Sequence, residues 1–124
     1  MALAGADQIQ KALETNADIV ISRRTTDTAI IAALPLFGEY HPGSPWHGAK
    51  IGECGALAMI KPGSGTIMVY FYANGFTVEP MAEKARATPY TVSAHMLHEN
   101  SKPFHLYESG CHLDLTGATY SALD

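Results

Sequence analysis

The sequence predicts an α/β fold: a layered sheet, partly parallel with a β-hairpin, packed by about three helices in one domain over residues 1–124. Three observations predict it. A helix–strand–loop–helix order opens the chain, and in α/β proteins that order feeds a mainly parallel sheet. An Asn-Gly pair, Asn74-Gly75, lies between two β-rich runs, which signals a hairpin. Hydrophobic residues make up 47% and charged residues 16%, a composition apolar enough to build a core and too apolar for disorder.

The first predicted helix runs from Ala6 to Thr15. Ile9, Ala12 and Leu13 recur at helical spacing, and Asp7 sits in the first turn, where the helix dipole favours a carboxylate. Asn16 is its expected stop. Asp18-Ile19-Val20-Ile21-Ser22 reads as a short, buried, β-branched strand. The polar run Arg23-Arg24-Thr25-Thr26-Asp27 follows, then a helix over 28–34 that either Thr26 or Asp27 can cap.

Two glycines and two prolines between Gly38 and Pro45 read as punctuation. A second long helix is expected over Trp46–Ile60, with Ile51, Cys54, Leu57 and Ala58 on one stripe, ended by Pro62-Gly63-Ser64-Gly65. Residues 66–72 and 76–79 flank the hairpin turn. Residues 80–89 read as a loop, 90–100 as a third long helix, and 104–108 and 113–116 as late short strands separated by Ser109-Gly110. No repeat or low-complexity segment is visible.

Charge and composition exclude several function classes. Net charge is −4 with His neutral, and the eight Lys and Arg form no basic run, so the footprint of a nucleic-acid binder is missing. The longest apolar run, from Ala29 toward Phe37, falls short of the roughly 18 residues that span a bilayer. The N-terminus has no basic segment followed by an apolar one, and Cys54 and Cys111 are too few for a disulfide framework. A cytoplasmic protein is the expectation. The low charge points to surface covered by a partner, either another copy or a complementary chain.

The loop 23–27 is the most informative place for chemistry. In open α/β sheets, ligands sit beyond strand ends, where helix N-termini present free N–H groups to anions. Arg24, Thr25 and Thr26 beside such a terminus suit a carboxylate, a phosphate or a thioester-bearing substrate. The plainer alternative is that Asp27 caps the helix and Arg24 pairs with it. Trp46-His47 is read as a helix start, where the positive end of the helix dipole lowers the imidazole pKa and keeps His47 neutral.

Two turns further on, Cys54 becomes a nucleophile only if its thiolate is stabilised; otherwise it is a core residue. His95 and His98 share a helix face with Glu99 beside them. No full ligand set accompanies them, so no metal is expected. Gly63-Ser64-Gly65 fits neither a dinucleotide fingerprint nor a Walker loop, and no cofactor is expected.

Taken together, these blocks resemble a known family. Gly5-Ala6 and its helix, then Ala17-Asp18-Ile19-Val20-Ile21-Ser22-Arg23-Arg24-Thr25-Thr26-Asp27-Thr28-Ala29, resemble the GADIVIxGRxxDxA stretch of the acyclic terpene utilisation AtuA-like family. Trp46 to Ala56, Val78-Glu79-Pro80, Thr91 to Asn100 and Ala118-Thr119-Tyr120 resemble later blocks in the same order. Arg23 stands where the family usually has glycine. The resemblance implies an internal piece of the family's N-terminal domain, truncated at both ends relative to its members.

It also implies breakdown of citronellol- or geraniol-type terpenes, or of branched acids handled as CoA thioesters. Carried over by position, Arg24, Asp27, His47, Glu53, Cys54 and His95 are the candidate functional residues. Asp27, His47, Glu53, Cys54 and His95 are placed in catalysis; Arg24, Thr25, Thr26 and Trp46 are placed in binding an acyl or acyl-CoA substrate. The competing expectation is a non-catalytic subunit that works through protein association.

Overall fold

The computed structural model describes residues 3–61, 65–98 and 101–123. The first layer is helical. Helix α1, Ala6–Leu13, follows its predicted course: Gly5 N–H donates to the Gln8 Oε1 at 2.7 Å, and Ala6 and Ile9 are buried. Asn16 ends the excursion in the left-handed region at φ 56, the conformation Asn tolerates at helix stops. Helix α2, Asp27–Ala32, takes Thr26 as its cap, whose hydroxyl accepts from Ala29 N–H at 3.3 Å. A 3₁₀ turn over Pro35–Phe37 follows.

Between these helices the predicted buried strand is not a strand. Among the described residues, the segment 17–23 makes no backbone ladder, and Ile19 and Ile21 are 80% and 93% exposed. Just beyond it, an isolated parallel bridge joins Ala4 to Thr25, where Ala4 N–H donates to Arg24 C=O at 2.9 Å. β-Branched side chains favour a pleated, half-buried surface, and no such surface is present here. The partly parallel sheet is therefore corrected: the two sheets seen are antiparallel pairs.

Helix α3, Gly43–Glu53, starts three residues before its predicted position and passes through Pro45. The first turn's N–H groups have no intrahelical partners, so a proline there removes nothing the helix needs. The expected helix to Ile60 breaks at Cys54 (φ −122, ψ 24) and tightens into a 3₁₀ turn over Gly55–Ala58. Gly52 and Gly55 weaken helix propagation at this point. The stop proposed at Pro62-Gly63-Ser64 lies outside the described residues.

Strands β1, Ile67–Tyr72, and β2, Gly75–Pro80, form the predicted antiparallel hairpin, closed by Ala73-Asn74 with Tyr72 opposite Gly75. Helix α4, Pro89–His98, opens on a reciprocal cap in which Thr88 and Thr91 exchange N–H to hydroxyl bonds of 3.1 Å. Its predicted continuation to Glu99 and Asn100 lies outside the described residues. Strands β3, His105–Glu108, and β4, Cys111–Asp114, make a second hairpin through Gly110, whose φ of 84 suits glycine. Among the described residues the chain thus mixes four α-helices with two hairpins, near the four helical segments read from the sequence.

Two cores result. A small one packs Ala6, Ile9, Ala29 and Ala33 with Leu13, Leu36 and Trp46. A larger one gathers Ile51, Met59, Val92, Met96, Leu106 and Leu115, with Ile67, Phe76 and Val78 against it. Each large apolar side chain buried this way contributes about 1.5–3 kcal/mol.

Helix α3 is the wall between the two. Ser44, His47, Gly48 and Ile51, spaced at i, i+3, i+4 and i+7, are all buried, and a Cβ on Gly48 would meet the Phe71 ring of β1 at 2.6 Å. On its other side, a Cβ on Gly52 would stand 3.4 Å from Ile31 of α2, and Trp46 joins the small core. Among the described residues no helix is long and apolar enough to cross a membrane.

Candidate functional site

The larger core opens into a cleft of about 980 Å³. Its walls are the start of α3, strand β2, the loop 85–89, Val92 of α4 and the segment 113–123. The loop before α3 is tied to the hairpin by His41 N–H donating to Ala73 C=O at 2.8 Å, which fixes one rim. The opposite rim is shaped by the turn after β4. There the Asp114 carboxylate accepts from the Thr116 N–H at 2.9 Å and from its hydroxyl, and these bonds hold Asp114 below the ordinary aspartate pKa.

His47 lies in the cleft wall, 9% exposed. Its Nε2 is 2.9 Å from the Tyr120 hydroxyl, a bond that the tyrosine donates when the imidazole proton sits on Nδ1. Phe76 and Tyr120 both meet the imidazole edge-to-face, with centroids 4.9 and 5.6 Å away. Burial lowers the His47 pKa to about 4, and burial also raises that of Tyr120. Both groups are therefore neutral at physiological pH. The expected lowering is present, but its cause differs: His47 is the fifth residue of α3, and desolvation acts on it.

Of the residues chosen from sequence, His47 alone lines this cleft. Arg24 is exposed, with its backbone at φ 54, so the left-handed turn falls on Arg24, one residue after the position where the family usually has glycine. The Thr25 hydroxyl bonds to that of Ser22, Thr26 caps α2, and Asp27 is exposed in the first helical turn.

Trp46 turns away from His47 into the small core, because neighbours on a helix point about 100° apart. Glu53 accepts from the Thr28 hydroxyl and the Lys50 ammonium, which links α3 to α2. Cys54 is half-buried at the C-terminal cap of α3, and His95 is half-buried on α4. Arg24 and Asp27, expected to share a pocket with His47, do not line the cleft in which His47 lies. No group of three or more His, Cys, Asp or Glu among the described residues is placed to hold a metal ion.

Sequence reasoning missed Ser44, Arg86 and Tyr120, which all line the cleft. Tyr120 meets His47 across 73 positions, and no local spacing encodes such a pairing. Ser44 was hidden in a segment read as punctuation.

Fold and site define a small mixed α/β protein with an open cleft of apolar and polar lining beside a neutral His–Tyr pair. Residues 1–40 match the model of the family described as acyclic terpene utilisation family protein AtuA. No curated protein and no solved structure matches it.

Proposed function

We propose that this chain serves the breakdown of acyclic terpenes of the citronellol or geraniol type, or of related branched acids, by binding a branched acyl substrate in the cleft beside His47. The observation that carries the reading is one wall of Phe76, Val78, Val92 and Leu115 converging on a few polar groups, the usual make-up of a small-molecule site. The matched family's name supplies the terpene context. In this reading the apolar wall holds the branched hydrocarbon and Arg86 receives an acid group. Neutral His47, paired with Tyr120, offers hydrogen bonds to a carbonyl rather than a charge. The work is cytoplasmic.

Thermal unfolding with citronellol, citronellic acid and citronellyl-CoA tests this. At least one of them raises the Tm of the native chain, and His47→Phe diminishes the shift. A flat response to all three ends the proposal.

A second reading, association with another chain, rests on a different observation: Ile19 and Ile21 stand exposed on a segment that pairs with no strand among the described residues. It predicts concentration-dependent dimers in sedimentation that Ile21→Lys dissolves. A monomer at every concentration removes it.

A further inference from the structure

The cleft contains information about charge as well as shape. Its lining includes one side-chain cation that is permanently charged, Arg86, against two carboxylates, Glu79 and Asp114. At the cleft floor His47 is buried and hydrogen-bonded to Tyr120. Lys84, two residues from Arg86, is not part of the lining, and the residues outside the described set include no Lys or Arg. Arg86 makes no ion pair among the described residues, and its guanidinium is available to a ligand. Its backbone is fixed, because Ile60 N–H donates to Arg86 C=O at 2.8 Å, so the side chain projects from a held position on the rim.

We infer that the cleft selects a free, singly charged branched carboxylic acid over its CoA thioester, with the carboxylate on Arg86 and the hydrocarbon against Phe76, Val78, Val92 and Leu115. The inference rests on the acyl-binding reading above. One guanidinium matches one carboxylate in a two-bond fork. A CoA thioester lacks that carboxylate and brings several phosphate charges, which a lining with more carboxylates than cations repels. The apolar wall is common to both ligands and cannot separate them, so charge decides the preference.

Isothermal titration of the 124-residue chain with citronellic acid and with citronellyl-CoA, each at low and moderate salt, reads the preference directly. The acid binds at least tenfold more tightly than the thioester. Arg86→Gln weakens the acid at least tenfold, and Arg86→Lys restores part of the loss, while both variants keep the native melting curve. Equal or tighter binding of the thioester overturns the inference and leaves the acyl-binding reading standing. Undiminished acid binding by Arg86→Gln also overturns it. Binding of neither ligand overturns both.

Discussion

The regions on either side of α3 are closed by different means. The N-terminal layer packs α1 on α2 through alanines and Ile9, while Ile19, Ile21, Ile30 and Leu34 remain exposed. The C-terminal body buries Ile51, Met59, Met96 and Leu106 under two hairpins and α4, and keeps a cleft beside that core. The family match covers the first of these regions, and the cleft belongs to the second. The recognisable sequence signature and the cleft thus lie in different parts of the molecule. Small residues let helices approach closely but bury little apolar area, so the first layer contributes less stability per residue.

Mutations can break or sharpen this contrast. The largest effect is expected at Ile51, fully buried in the larger core: Ile51→Ala costs about 2–5 kcal/mol in urea unfolding. If the two regions were equally important to stability, Ile9→Ala in the small core would cost as much. We expect it to cost clearly less, because its neighbours there are mainly alanines.

The next effect depends on pH. The unfolded state protonates His47 near 6.5, whereas the folded state resists protonation until about pH 4. The unfolded chain therefore binds more protons between these values. His47 contributes stability that is complete above pH 6.5 and lost as pH falls toward 4, by up to about 3 kcal/mol. Urea midpoints at pH 7 and pH 4.5 measure this, and His47→Gln flattens the difference. A wild-type slope retained in the variant would assign the pH dependence elsewhere.

Thr26→Ala removes the cap of α2 and costs about 1 kcal/mol, read in the same titration at pH 7. The smallest effect belongs to the exposed segment. Ile21→Ser changes monomer stability by less than about 0.5 kcal/mol. A cost above 1 kcal/mol would show that the segment is packed in solution and would erase the contrast.

Much of the local structure was legible in the residues. The 3.6-residue spacing of Ile9, Ala12 and Leu13 marked α1, Asn16 marked its end, and Asn74-Gly75 lay at the turn between β1 and β2. The late hairpin followed from Ser109-Gly110, although β4 begins two residues before its predicted start. Asp18 to Ser22 failed because strand propensity expresses a fit to neighbouring strands, and among the described residues none pairs with Ile19 or Ile21. The start of α3 failed because Pro45 breaks a helix only where a lost N–H or a clash with the preceding turn matters.

For the site, the sequence by itself determined that His47 belongs to a helix, whereas the burial that keeps it neutral came from packing. It also carried the AtuA-like signature of residues 1–40. Tertiary structure decided which residues His47 meets. Trp46 and His47 are adjacent in sequence and enter different cores, whereas Tyr120 and Arg86 reach the same cleft from distant segments. Periodicity places a side chain on a face; only packing of that face against remote elements sets its partners and its solvation.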